Sequence, residues 1–361
     1  MSKSHFTLDD DQLREQTKKF KRLDDFVYEL QAEKDPEAVI VFFHGLAMDA
    51  SELEHAFWST WRKRDSYDCW PITLLPEYLE EKGEKYRIRV LAVSYESRAE
   101  VSADDGNVET DKYLLGDNFL SSLVTSGICR QNKQSYVDIP IILIGHDFGG
   151  LLIKDFIMHV ENLCSNEEDD EKKEKMVNFL ANLKAVMFYA TPHSGSQVHE
   201  DLARGIQEGS ENQLLKLTRI LGRETARINA DFARYRRGKA EGLKKPRFNT
   251  IALVPTKLTN QKGFSRVMVV TEGSARSDVD DIYWVPADHF QVCQPEGLWA
   301  NSLKKLGDKV DEEILKYREA KQEELQQRLE SLRHFAVNKP SEIERMNAGL
   351  VHGDPLLNPP E

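Results

Sequence analysis

Apolar residues fall into short, fully hydrophobic runs separated by longer stretches in which they recur every three or four positions. That is the pattern of buried parallel strands alternating with helices. Strands are expected at Ala38–Phe43, Arg89–Tyr95, Ile141–Ile144, Ala185–Tyr189, Asn249–Val254 and Val267–Val270, with Ile282–Val285 as an edge strand. Helices are expected around Phe57–Trp61, Leu74–Leu79, Asn118–Ile128 and Leu151–Val160. The order predicts an α/β fold with a mostly parallel, doubly wound sheet covered by helices on both faces. Residues 1–34 are charged, with helix-like spacing at Leu13, Phe20, Leu23, Phe26 and Tyr28. They read as a leader that packs on the domain or pairs with an early strand. Residues 35–300 then form the main domain.

Within that domain, residues 199–236 are helical in pattern (Leu202, Ile206, Leu214, Leu217, Leu221, Ile228, Phe232) and suggest a lid insertion over about 199–245. A long helix rich in Lys, Glu, Gln and Leu follows, with its body at 301–337 and a broken apolar stripe at Leu306, Val310, Ile314, Tyr317, Leu325, Leu329 and Leu332. One expectation is a terminal helix covering the sheet; the other is a homodimer through a coiled coil. The tail at 338–361 is polar and proline-containing, and is expected to be disordered.

Composition narrows the function classes. The 361 residues suffice for one large α/β core or two modest domains. The net charge of −12 argues against non-specific attachment to nucleic acid or anionic membrane. No apolar run reaches membrane-spanning length, and Met1–Lys19 resembles neither a signal nor a transit peptide. Cys69, Cys129, Cys164 and Cys293 are too scattered for a disulfide framework or a metal site. A cytoplasmic or nuclear compartment is the default expectation. No phosphate loop, zinc spacing or nucleic-acid motif appears, so no cofactor is expected.

The chemistry-bearing segment is Ile141-Ile-Leu-Ile-Gly-His-Asp-Phe-Gly-Gly150. An apolar strand runs into glycines that permit a sharp strand-to-helix turn, with Asp147 at its tip. Further segments occur in order: Val41-Phe-Phe-His-Gly45, Trp70-Pro-Ile-Thr-Leu-Leu-Pro76, Phe188-Tyr-Ala-Thr-Pro-His-Ser-Gly-Ser196 and Ala287-Asp-His-Phe290. Over residues 38 to 300 these resemble the serine-active-site-containing branch of α/β-hydrolases, serine esterases related to GPI inositol-deacylases. The resemblance implies an α/β-hydrolase fold, a nucleophile elbow, and a lipid-like or apolar small-molecule substrate. It also implies a serine at the elbow tip, where this chain carries Asp147.

In such a site His289 is the candidate base, Glu272 the acid that orients it, and Asp280 and Asp281 competing acids. Backbone amides of Leu46 and Phe148 are the expected oxyanion hole. His146 is expected to pack beneath the elbow and His193 to shape the loop after its strand. A carboxylate nucleophile suits attack on an sp³ carbon, as in epoxide hydrolases and haloalkane dehalogenases, and is poorly matched to carboxylic esters. Such enzymes also assist the leaving group, usually with paired tyrosines or halide-binding Trp and Asn. Here Tyr235 in the lid, and Tyr95, Tyr189 and Trp284 from the core, are the available aromatics. Two readings stay open: a cofactor-free hydrolase with an Asp nucleophile, and an inactive pseudo-hydrolase that binds a small apolar ligand or a partner protein.

Overall fold

The computed structural model describes residues 9–338 except 48, 84, 101–111, 127, 129–138, 207–211, 221, 239–247, 262–263 and 277. The expected tail and parts of the lid segment therefore lie outside the described residues. Strands are β1 (Lys21–Arg22), β2 (Val27–Gln31), β3 (Ala38–Phe43), β4 (Ile88–Val93), β5 (Ile141–His146), β6 (Leu183–Tyr189), β7 (Asn249–Pro255), β8 (Thr259–Gln261), β9 (Phe264–Val267) and β10 (Asp281–Val285). Helices are α1 (Asp10–Thr17), α2 (Ala50–Ser59), α3 (Leu74–Glu80), α4 (Lys112–Thr125), α5 (Gly149–Asn166), α6 (Asp170–Asn182), α7 (Gln197–Gly205), α8 (Arg223–Arg237), α9 (Glu272–Ala275) and α10 (Asn301–Asn338).

The main sheet is ordered β1-β2-β4-β3-β5-β6-β7-β10. From β4 to β10 its strands run parallel, while β2 pairs antiparallel to β4. The central strands β3 and β5 are buried along their whole length, which is why they read as unbroken apolar runs. Their side chains still alternate between two cores. Ile40, Phe42, Ile142 and Ile144 meet α2, α3 and α10 on one face, and Val39, Val41, Ile141 and Leu143 meet α4, α5, α6 and α8 on the other.

The leader pairs with an early strand, as one of its two expectations had it: it contributes β1 and β2, and β2 lies antiparallel to β4. One strand expectation changes in three dimensions. Val267 ends β9, which pairs only with β8 in a separate antiparallel ribbon; Val269 and Val270 are buried outside any strand. The apolar run there fills a small third cluster with Ala252, Val254 and Ala275 and adds no strand to the sheet. Short apolar runs do not distinguish these outcomes.

The front of α10 buries Leu303, Leu306, Val310, Ile314 and Tyr317. Arg318 then anchors it: Nε and Nη2 donate to the two carboxylate oxygens of buried Glu37 at 2.8 and 2.9 Å. Beyond that ion pair Leu325, Leu329 and Leu332 are exposed. No helix among the described residues is long and apolar enough to cross a membrane.

Candidate active site

Asp147 stands between the end of β5 and the start of α5 with φ +52, the left-handed region that non-glycine residues enter only under constraint. Its amide donates to the Tyr189 carbonyl at 3.0 Å, and its own carbonyl accepts from Gly150 at 3.2 Å. The constraint is steric as well. A Cβ on Gly149 would lie 2.3 Å from the His44 carbonyl oxygen, so only glycine lets α5 start this close to the turn after β3. A Cβ on Gly45 would lie 2.7 Å from that of Asp147, so this glycine makes room for the aspartate itself.

The carboxylate is enclosed, with 2% of the residue exposed. Its Oδ2 accepts a hydrogen bond from the Leu46 amide at 3.3 Å. Its Oδ1 has no hydrogen-bond partner among the described residues. That oxygen faces two imidazoles: Nε2 of His289 and Nε2 of His199, each 3.6 Å away. The rings are nearly perpendicular, with centroids 6.5 Å apart.

Each imidazole is held by its backbone. His289 donates its amide to Thr259 Oγ1 at 3.3 Å, and its carbonyl accepts from His146 Nε2 at 2.9 Å. His146, next to Asp147, thus tethers the late histidine to the same strand end. His199 lies in the first turn of α7, where its amide donates to the capping Ser196 Oγ at 3.4 Å. The Ser196 hydroxyl in turn donates to the Val269 carbonyl at 2.5 Å.

Burial opposes charge on Asp147, yet His199, His289 and His146 outweigh it and hold the carboxyl below its usual range. Burial pushes His289 down to about 3, against the pull of Asp147. Burial lowers His146 as well. At neutral pH the site therefore holds an anionic carboxylate facing a neutral His289.

The residues expected from sequence separate into those that meet and those that do not. Asp147, His289 and the Leu46 amide converge, and Phe148 heads α5, whose first amides lack intrahelical acceptors. Glu272 does not reach His289: it is exposed on α9 and ion-paired with Arg276 at 3.0 Å. Its place in the first turn of a surface helix explains the acidic residue there. Asp280 accepts from the Thr250 amide at 2.8 Å and pairs with Arg236, tying β7 to α8. Asp281 is exposed at the start of β10. The segment packed beside the His289 loop is Thr256-Lys-Leu-Thr259, which carries no carboxylate. Accordingly His289 Nδ1 has no hydrogen-bond partner among the described residues.

The aromatic candidates are engaged elsewhere. Tyr95 stacks on His44 and gives its hydroxyl proton to the His44 carbonyl. The Tyr189 hydroxyl donates to the Ser302 carbonyl at 2.9 Å. Trp284 is exposed on β10, and Tyr235 packs near Phe248. His199 is the residue that sequence reasoning missed. Its signal was a polar histidine in the first turn of a segment marked only by its apolar positions. No group of His, Cys, Asp or Glu among the described residues has the arrangement to hold a metal ion.

A strand order of 1-2-4-3-5-6-7 and then the last edge strand, an antiparallel second strand and a strained residue on the turn after the fifth define the α/β-hydrolase fold. The chain is 23% identical to protein SERAC1 of Danio rerio over 276 residues, covering 72% of this chain and 36% of that protein. It is also 23% identical to protein SERAC1 of Homo sapiens over 277 residues, with the same coverage. The chain thus spans about a third of the length of the curated relatives it matches. No family model matches it. Among solved structures, the propeptide form of Bacillus licheniformis lipase BlEst2 aligns with TM-score 0.45 and 15% identity, over 78% of this chain and 53% of that one. Phospholipase PlaB from Legionella pneumophila, in complex with thio-NAD, aligns with TM-score 0.44 and 13% identity, over 81% of this chain and 64% of that one.

Proposed function

We propose that this α/β-hydrolase-fold protein hydrolyses a small apolar substrate at an sp³ carbon without a cofactor, with Asp147 as nucleophile. The observation that carries this reading is the asymmetry of the carboxylate. One oxygen rests on the Leu46 amide, and the other, without a hydrogen bond among the described residues, lies 3.6 Å from each of two imidazoles.

In the first step Oδ1 bonds to the substrate carbon and the carbon–leaving-group bond breaks, leaving an alkyl ester on Asp147. Water then adds to Cγ while His289 Nε2 takes its proton, and the oxyanion forms on Oδ2, where the Leu46 amide already donates. Collapse breaks the Cγ–O bond to the substrate as His289 passes its proton to the departing oxygen; the alcohol leaves, and Asp147, which now holds one oxygen from water, loses its proton to solvent. Such chemistry fits the charges: an anion is needed to attack and a neutral imidazole to accept a proton. Because the carboxylate is enclosed, substrate entry requires some of the residues around it to move.

One observation favours a second reading. Among the described residues His289 Nδ1 has no acid to orient it, and a base whose pKa sits near 3 removes a proton from water poorly. On that reading the protein is a pseudo-hydrolase that binds a small apolar ligand or a partner protein and turns nothing over. The two readings separate by incubating the full chain and its His289→Gln variant with styrene oxide. Peptide mass spectrometry should find one epoxide added at Asp147, accumulating in the variant. Absence of any adduct on Asp147 in either protein would leave the pseudo-hydrolase.

A further inference from the structure

We infer that the projecting end of α10 is one half of a coiled coil, and that it takes an acidic, leucine-striped helix of another protein as its second strand. Its occupancy does not depend on the chemistry at Asp147.

The helix outruns the domain it covers. Its front is buried through Tyr317, and Arg318 fastens it to Glu37. From there it continues for about 30 Å to Asn338. Every side chain from Leu325 to His334 is exposed, so no described residue covers this stretch. Leu325, Leu329 and Leu332 are 58%, 46% and 64% exposed. Their spacing of four and then three residues sets them in one line along the helix. Exposed leucines scattered singly are ordinary, but three in line on an uncovered helix form the seam of a coiled coil.

Three leucines make a short seam, so the residues flanking it decide what binds. With Leu325 and Leu332 at d and Leu329 at a, the flanking e and g positions between 321 and 334 hold Lys321, Gln326, Arg328 and Arg333. None is acidic. The carboxylates of this stretch, Glu323, Glu324 and Glu330, fall at the outer b and c positions. Glu324 pairs with Arg328 at 3.0 Å, an intrahelical contact of the weak i,i+4 kind.

A second copy of this chain matches those flanks poorly. In a parallel coil a g residue faces the e residue of the next heptad on the other helix, which sets Arg328 against Arg333 on both sides of the seam. In the antiparallel sense the same flanks again supply cations and a glutamine, with no carboxylate. A lipid surface would meet the leucines too, but an anionic one repels Glu323, Glu324, Glu330 and a chain of net charge −12. A helix with leucine at a and d and glutamate at e and g meets both requirements. It covers the three leucines and supplies countercharges to Lys321, Arg328 and Arg333.

The test titrates the full-length chain into two labelled synthetic helical peptides, followed by fluorescence anisotropy. Both carry leucine at a and d; one has glutamate and the other lysine at e and g. The glutamate peptide should bind at least about tenfold more tightly at low salt, and added salt should shrink that preference. Leu329→Asp, at a position the domain does not bury, should abolish binding. Arg328→Glu combined with Arg333→Glu should turn the preference toward the lysine peptide. Equal binding of the two peptides, or binding of the glutamate peptide that Leu329→Asp leaves unchanged, would overturn the proposal. Sedimentation of the native chain as a dimer that Leu329→Asp dissociates would overturn it in favour of a second copy. Binding to phosphatidylserine vesicles that Leu329→Asp abolishes would overturn it in favour of a lipid surface.

Discussion

Lys154 offers a quantitative test of the packing beneath the elbow. It lies on α5 with no exposed surface, sandwiched between the rings of Phe188 and Phe232, and its Nζ donates to Asn229 Oδ1 at 2.9 Å. Burial pulls its pKa from the ordinary 10.5 to about 7, against the opposing pull of Asp278. Below pH 7 the amine is charged in the folded and unfolded chain alike, and the fold bears the full cost of burying it. From pH 7 to 10.5 the unfolded chain holds a proton that the folded one lacks, so stability rises with pH. The span from 10.5 to about 7 corresponds to about 5 kcal/mol. Lys154→Met keeps the stem and removes the titration, but strips Asn229 of its donor at every pH, costing about 1–3 kcal/mol. The variant should therefore be about 2–4 kcal/mol more stable than the native chain at about pH 6.5, and no more stable at about pH 9.5. Guanidinium unfolding at both pH values measures the difference, in which titrating groups that do not feel Lys154 cancel; buried His193, which Lys154 helps to hold neutral, stays neutral at both pH values. A stability gap that does not change with pH would refute the reasoning, because Lys154 would then titrate as it does in water.

Other outcomes follow from the same geometry. Gly149→Ala drives a methyl into backbone oxygens of Phe43 and His44 and should cost about 3 kcal/mol or more in thermal unfolding. Gly273→Ala, with open space around it on α9, should change stability by less than about 1 kcal/mol. Arg318→Ala leaves buried Glu37 without its bidentate partner and should loosen α10; faster amide exchange across 301–317 than in the native chain would report it. Because Asp147 is held below the usual carboxylate range and His289 sits near 3, both keep their reactive forms at neutral pH. Alkylation of Asp147 by phenethyl bromide should accordingly be flat between about pH 5 and 8, and a sigmoid centred there would contradict the charge assignment.

Much of this molecule is legible in its residues, and the illegible part has a common cause. Runs such as Ala38–Phe43 and Ile141–Ile144 announce central strands because burial on both faces leaves no room for polar side chains. The strand-to-helix turn at Asp147 is equally plain, since Gly149 answers to a backbone contact that no other residue tolerates. The acid was not legible: Glu272, Asp280 and Asp281 are all plausible by order along the chain, and only packing shows the first on a surface helix, the second between β7 and α8, and the third exposed on an edge strand. His199 was hidden for the converse reason. Its helix is amphipathic and charged, and nothing in its spacing marks the one turn that reaches Asp147. Strand identity failed at Val267–Val270, where an apolar run fills a satellite cluster and leaves the sheet untouched.

Formation and loss of an ester bond at Asp147 can be followed by turning over styrene oxide in water enriched with heavy oxygen and analysing the peptide that contains Asp147. Attack of water at Cγ predicts that heavy oxygen accumulates in the Asp147 carboxylate with successive turnovers. Heavy oxygen found only in the diol, with the Asp147 peptide unlabelled, would contradict the account.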